Sequence, residues 1–138
     1  MNEILEKIGK IGLVPVIKLT TPEQAVPLGK ALMAGRIPVA EITFRSDAAE
    51  EGIALLAKEL PELITGAGTV LTTEQADRAV AAGAKFIVTP GFNPKVVKHC
   101  LEKNIPITPG VNNPAHIEQA IELGLSVVKF FPAEASGG

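Results

Sequence analysis

The sequence has few aromatic residues and a single cysteine, and both shortages limit what the protein can be. It contains no tryptophan, no tyrosine and five phenylalanines in 138 residues, and its formal net charge is −2. Such a chain offers neither the basic surface nor the stacking rings that bind nucleic acid. Cys100 cannot form an internal disulfide, and no Cys/His cluster has the spacing of zinc ligands. We therefore expect no nucleic-acid partner and no metal.

Long hydrophobic runs are also lacking. No stretch approaches the roughly 20 apolar residues that cross a bilayer, and the N-terminal segment mixes acids and lysines among its apolar positions. Hydrophobic residues nevertheless make up 46% of the chain, which is enough to bury one core in a chain of single-domain length. We expect one domain over residues 1–138, no membrane partner and a cytoplasmic location.

Short β-branched apolar runs alternate with longer amphipathic segments, and this pattern predicts parallel strands joined by crossover helices. An opening helix is predicted over Asn2–Lys10, and capping residues such as Thr72, Asn93 and Asn113 mark the starts of later helices. The predicted strands are Leu13–Leu19, Val39–Arg45, Leu63–Thr69, Phe86–Pro90, Ile105–Pro109 and Val127–Phe131. The units recur at roughly 20 to 26 residues, which fits a βα barrel or an open parallel sheet.

Three predicted strands carry polar residues where a parallel sheet is normally apolar on both faces. In the second strand, alternation places Ala40, Ile42 and Phe44 on one face and Glu41 and its polar neighbours on the other. Those neighbours are Thr43 and Arg45. One face is therefore predicted to pack and the other to carry chemistry. Two roles for Arg45 remain possible: it binds the substrate, or it is a solvated residue at a strand end.

Lys129 lies alone within the apolar run of the sixth predicted strand. Loss of water disfavours the charged form of an amine and exposes its neutral, nucleophilic form, which is how a Schiff-base lysine arises. A buried structural ion pair between Glu41 and Lys129 is the alternative. Lys18 is the rival nucleophile, but it is followed by Leu19-Thr20 and a helix cap, so we expect it to lie nearer water.

Small residues and turns at other strand ends complete the candidate pocket. Gly66-Ala67-Gly68 is expected to let a ligand approach the backbone, and Thr69 ends that strand with a hydroxyl. Pro90-Gly91 and Pro109-Gly110 follow equivalent strands and are predicted to shape the rim of the pocket, although strand-ending turns alone also favour these residues.

Six segments of the chain, each at a strand end and in this order, carry a family resemblance. They are Val14-Pro15-Val16-Ile17, Glu41-Ile42-Thr43-Phe44-Arg45, Gly66-Ala67-Gly68-Thr69-Val70, Thr89-Pro90-Gly91, Pro109-Gly110-Val111 and Lys129-Phe130-Phe131-Pro132-Ala133-Glu134. Together they resemble the 2-keto-3-deoxy-6-phosphogluconate (KDPG) / 4-hydroxy-2-oxoglutarate (KHG) aldolase family along the whole chain. The resemblance implies a (βα)8 TIM barrel, a homotrimer, and a metal-independent class I aldolase without a cofactor. Its members split a 2-keto-4-hydroxy acid into pyruvate and an aldehyde.

The resemblance also implies roles for particular residues. Lys129 matches the Schiff-base lysine and Glu41 the general acid/base, while Arg45 and Thr69 match residues that position the substrate. A decarboxylase that acts on oxaloacetate through the same lysine, and a folded scaffold or fragment without turnover, are the alternative functions.

The chain departs from the family pattern after the lysine strand. Relatives continue with two more βα units whose glycine-rich loops supply the phosphate site, and we expect the natural protein to extend by roughly 65 to 75 residues in the same way. With about six of the eight units present, the first and sixth strands are predicted not to pair with each other. The sequence therefore leaves phosphorylated and unphosphorylated substrates open.

Overall fold

The computed structural model describes residues 2–138, which form a six-stranded parallel sheet with helices between the strands. The strands are β1 (Val16–Ile17), β2 (Val39–Thr43), β3 (Ile64–Gly68), β4 (Ile87–Thr89), β5 (Ile107–Val111) and β6 (Lys129–Phe130). The α-helices are α1 (Glu3–Ile11), α2 (Ala25–Ala34), α3 (Ala48–Glu59), α4 (Thr73–Ala82), α5 (Pro94–Glu102) and α6 (Pro114–Glu122), and short 3₁₀ helices cover Pro22–Gln24 and Glu134–Ser136.

The strands follow one another in chain order from β1 to β6, and every pair is parallel. β1 and β6 are the two outer strands, so within residues 2–138 the sheet is an open half-barrel and the predicted absence of pairing between these two strands is confirmed. Both are also much shorter than the runs predicted from sequence. An outer strand has a ladder of hydrogen bonds on one side only, so apolar composition alone does not set its length.

Local signals account for most helix boundaries. The side chains of Asn2, Thr72, Asn93 and Asn113 each accept a hydrogen bond from a backbone N–H in the first turn of the helix that follows. At the end of α4, Gly83 adopts a φ of 113°, a left-handed conformation that glycine reaches without steric cost. The predicted strand–helix alternation is confirmed, although α2 and α3 begin without a side-chain cap.

The outer face of the sheet packs against the helices and forms the larger of two hydrophobic clusters. Ala40 and Ile42 of β2 point into it, as the alternation predicts, together with Ala67 and Ile87 from the neighbouring strands. Small residues allow the helices to approach closely. An added Cβ at Gly52 of α3 would collide with the Leu19 side chain.

The inner face of the sheet carries a second apolar cluster near the strand N-termini. Val39, Ile64, Phe86 and Val88 form its buried part, and apolar side chains of α1 pack against it. These are Ile4, Ile8 and Ile11. The opening helix thus covers one end of the half-barrel, which leaves the carboxyl ends of the strands for the polar residues. No helix in residues 2–138 has the length and apolar character needed to span a membrane.

Candidate active site

Glu41 and Lys129 come together on the inner face of the half-barrel, although 88 positions separate them in the sequence. Glu41 lies in the middle of β2, and Lys129 begins β6, where it pairs in register with Gly110 of β5. Lys129 Nζ lies 3.7 Å from Glu41 Oε1. Both side chains line a mostly apolar cleft of about 440 Å³. The sheet therefore brings together the two residues that the sequence pattern predicts to be reactive.

The Glu41 carboxyl group is buried, with 4% of the residue exposed. Its Oε1 atom has no hydrogen-bond partner within the described part of the chain. Burial raises the pKa of Glu41, and the positive charges of Lys129 and Arg45 oppose this effect without cancelling it. A carboxyl group in this state can hold a proton at a higher pH than a solvated glutamate does, which suits it to give and take a proton beside an amine.

Lys129 remains accessible while it faces Glu41. Its side chain is 28% exposed, and Nζ lies 4.9 Å from the centre of the Phe131 ring. A small carbonyl compound entering the cleft can therefore meet the amine. Lys18, the rival lysine, lies exposed just after β1, as the sequence predicts.

Arg45 lies at the open end of β2 and is exposed. Its Nε donates a hydrogen bond to Thr43 Oγ1 at 3.0 Å, and the Thr43 hydroxyl donates to the backbone oxygen of Ile17 at 2.9 Å. Thr43 thus links the arginine to β1. Sequence reasoning placed Thr43 on the chemical face without giving it a role, and only the contact between two strands reveals this one.

β3 contributes no side chain beyond hydrogen to the inner face at Gly66 and Gly68. A Cβ added at Gly66 would collide with the Phe86 ring, and one added at Gly68 would collide with the Glu41 side chain. The expected approach of a ligand to the backbone of these glycines is blocked on this face, because the chain's own Phe86 and Glu41 fill the space over them. Gly66 and Gly68 therefore make room for side chains in or next to the neighbouring strands β2 and β4.

The remaining predicted residues lie at the carboxyl ends of the central strands. Thr69 directly follows β3, is partly buried and adopts a φ of 53°, which is rare for a β-branched residue. Gly91 is exposed, and its carbonyl accepts a hydrogen bond of 2.7 Å from Thr89 Oγ1. At these strand ends, backbone groups as well as side chains face the inner side of the half-barrel.

Pro109 and Gly110 are buried in β5. An added Cβ at Gly110 would lie 2.9 Å from Gly91 N and closer still to the Pro90 carbonyl. The Pro90-Gly91 turn thus packs directly on the residue that pairs with Lys129. Sequence reasoning named Phe86 only as part of a strand and did not name Thr108, and both side chains line the same cleft. Among residues 2–138, no group of three His, Cys, Asp or Glu side chains could hold a metal ion.

Comparison with known proteins places the chain in a family. The family model described as KDPG and KHG aldolase matches residues 4–138. The chain belongs to the KDPG/KHG aldolase family. A 2-dehydro-3-deoxy-phosphogluconate aldolase from Treponema pallidum is 51% identical over 138 residues, which are 100% of this chain and 66% of that protein.

Solved structures of KDPG aldolases share the half-barrel. The 2-keto-3-deoxy-6-phosphogluconate aldolase of Zymomonas mobilis ZM4, solved with 3-phosphoglycerate, has a TM-score of 0.94 and 38% identity, and the match covers 100% of this chain and 66% of that one. The Legionella pneumophila KDPG aldolase, with pyruvate captured as a covalent carbinolamine intermediate, has a TM-score of 0.88 and 39% identity, with coverages of 91% and 61%. This KDPG/KHG aldolase chain thus spans 61–66% of the length of these three relatives.

Proposed function

We propose that this chain provides the reacting residues of a class I aldolase that cleaves a 2-keto-4-hydroxy acid into pyruvate and an aldehyde. The observation that carries the proposal is the Lys129 amine, 3.7 Å from the buried Glu41 carboxyl group in one cleft. Such a pair supplies a nucleophile and a proton carrier within reach of the same substrate atoms. Membership of an aldolase family and the carbinolamine of the Legionella pneumophila relative support the same chemistry.

The neutral Lys129 amine attacks the C2 ketone of the substrate and forms a carbinolamine, which loses water to give an iminium ion. The iminium accepts the electron pair of the C3–C4 bond as that bond breaks. C4 leaves as the aldehyde carbonyl, and C3 becomes part of an enamine bound to Lys129. Protonation at C3 and hydrolysis then release pyruvate and the free amine.

Glu41 is the proton carrier in this sequence. It takes the proton of the C4 hydroxyl, directly or through a water molecule, as the C3–C4 bond breaks, and it returns a proton to C3 of the enamine. Both transfers occur next to the amine, which matches the position of Glu41 beside Lys129. The raised pKa of Glu41 favours the first transfer, because a buried carboxylate is a stronger base than a solvated one, and the carboxyl group it becomes then supplies the proton to C3.

Arg45 is proposed to hold the substrate carboxylate. Its Nε donates to Thr43, and within residues 2–138 the two terminal nitrogens of the guanidinium make no hydrogen bond, so they can face two carboxylate oxygens. Thr69 is proposed to orient the bound keto acid or a relay water with its hydroxyl. The backbone at Pro90, Gly91, Pro109 and Gly110 forms the proposed wall around the substrate, and Lys18 is proposed to contact it from the end of β1.

The substrate class follows from the family, which includes enzymes described as acting on KDPG and on KHG. The shared part of these substrates is the 2-keto acid, which is the part that Lys129, Glu41 and Arg45 are proposed to contact.

We further propose a homotrimeric assembly and a cytoplasmic location. Light scattering on the purified protein measures the assembly, and a mass other than that of three chains would reject the trimer.

Borohydride reduction in the presence of pyruvate tests the nucleophile. We expect reduction to fix a covalent adduct on Lys129, located by peptide mapping, and to leave Lys129→Ala unlabelled. Lys30→Ala, at an exposed lysine of α2, is the matched control and should retain full labelling at Lys129. A label on Lys18, or trapping by Lys129→Ala, would refute the assignment. Parallel assays with KDPG, KHG and oxaloacetate separate the aldolase from a decarboxylase that uses the same lysine.

A further inference from the structure

Gly68 lies directly beneath the Glu41 side chain. An added Cβ at this position would have only Glu41 atoms as its three nearest neighbours, with Cγ and Cδ at 2.7 Å and Oε1 nearer still. Atoms of real Cβ groups do not approach side chains this closely, so any residue other than glycine at position 68 must move the carboxyl group. The bare backbone of β3 is therefore part of the surface that holds Glu41.

Gly68 is not required for its backbone conformation. The glycines of the described chain with positive φ angles are Gly12, Gly83, Gly124 and Gly137, and Gly68 is not among them. It is the last residue of a regular β-strand and pairs in register with Thr43. Alanine adopts this conformation freely. Glycine is therefore needed at position 68 for the room that it leaves above the strand and not for its backbone conformation.

Within residues 2–138, no hydrogen bond fixes Oε1 of the Glu41 carboxyl group. Oε1 is buried without a partner, and Lys129 Nζ at 3.7 Å is beyond hydrogen-bond distance. Packing must then hold this oxygen in place, and the space over Gly68, where an added Cβ would overlap the Glu41 side chain, is part of that packing. The displacement of a proton carrier by about 1 Å can cost about 100-fold in rate.

We propose that Gly68 is a positioning residue for Glu41, which sets the place of the carboxyl group beside Lys129 by having no side chain of its own. This inference rests on the proposed function for its chemical consequence, while the steric part stands on the contacts alone. Gly68 touches neither the amine nor the substrate in this account and acts only through Glu41.

Exchange of the pyruvate C3 hydrogens in D₂O, followed by NMR, measures the consequence. The exchange needs the Lys129 iminium and a group that moves the C3 proton, whereas borohydride trapping needs only the iminium. We expect Gly68→Ala to trap pyruvate within about threefold of the unmodified protein but to exchange C3 hydrogens about 100-fold more slowly. Gly52→Ala is the matched control, since its added methyl group collides with Leu19 rather than with Glu41 and should leave exchange within about threefold.

Removing the acid distinguishes positioning from a general loss of structure. Glu41→Ala removes the three atoms that the added methyl group would meet, so adding Gly68→Ala to it should slow the residual exchange by less than about threefold further. Unmodified exchange in Gly68→Ala, or the same 100-fold loss in both backgrounds, would overturn the inference.

Unfolding measurements test the steric part without any activity. Gly68→Ala should lower the folded-to-unfolded ratio about tenfold when Glu41 is present and leave it unchanged when Glu41 is replaced by alanine. Equal destabilisation in both backgrounds, or failure of both to fold, would contradict the inference. If the unmodified protein traps no pyruvate, the proposed function fails, but this unfolding comparison still decides the role of Gly68.

Discussion

Replacing Glu41 by glutamine should stabilise the fold while it stops the proton transfer. The amide has nearly the same shape as the carboxyl group and therefore keeps the packing against Gly68. It carries no charge, so it removes the cost of keeping an ionised carboxylate in a site where Oε1 has no hydrogen bond. A buried acceptor without a partner costs free energy in either side chain, and more when it is charged, so the amide removes only the excess cost of the charge. We expect Glu41→Gln to raise the free energy of unfolding at pH 8 by about 1.4 kcal/mol for each unit by which burial raises the pKa of Glu41.

The stability difference between Glu41→Gln and the unmodified protein should increase with pH. Burial raises the pKa of Glu41 in the folded protein above its ordinary value of 4.5, so the folded state keeps the proton to a higher pH than the unfolded chain does. The stability contributed by the protonated carboxyl group is fully present below pH 4.5 and is lost as pH rises through the folded pKa. The stability gain of Glu41→Gln should therefore be smallest below pH 4.5 and grow with pH to a plateau.

Urea unfolding of both proteins between pH 4 and pH 9 measures this difference, and C3 exchange of pyruvate measures the function of the same variant. Exchange should fall by about 10²- to 10⁴-fold, while borohydride trapping at Lys129 persists. Lower stability of Glu41→Gln at pH 8 would refute the argument. It would show that the pair with Lys129 is a net stabilising ion pair, which is the structural alternative that the sequence left open.

Two further predictions concern residues outside the reacting pair. Phe86→Ala should lower the free energy of unfolding by about 3–5 kcal/mol, because Phe86 is 2% exposed and fills the space over Gly66. Val80→Ala on the exposed side of α4 is its control in urea unfolding, and an equal loss in both would contradict this role. Burial raises the pKa of Cys100 to about 11, so its thiol should react with a disulfide reagent at pH 8 at least about 100-fold more slowly in the folded protein than in urea. Equal rates in the two conditions would show that Cys100 is not buried in solution.

The period of two along β2 is the strongest signal in the sequence, and the structure shows why. Both faces of this strand are covered by protein, so alternation must separate Ala40 and Ile42, which meet helices, from Glu41, which faces the inner cleft. The signal at Lys129 is different, because it is a single charged residue within an otherwise apolar run. These signals are local, and so they could be read without knowledge of the fold.

The parts that could not be predicted depend on contacts between distant segments. Nothing near Gly66 or Gly68 in the sequence says that Phe86 and Glu41 fill the space over them, because the register of β2, β3 and β4 brings those side chains there. The lengths of the outer strands have the same origin. β1 and β6 each have one neighbouring strand, and only the assembled sheet determines where that pairing stops.

The inner face of β3 explains how a half-barrel with few polar residues can bring Glu41 and Lys129 so close. Side chains on a curved parallel sheet converge on its concave side, so large residues on every strand would exclude one another. Two glycines on β3 leave this space to its neighbours, and β4 fills one part with the apolar Phe86 ring while β2 fills the other with the Glu41 carboxyl group. The same packing that removes water from Glu41, and so raises its pKa, also directs it across the cleft toward β6. Position and burial of this carboxyl group therefore depend on the same packing, and a change at Gly68 should move the group.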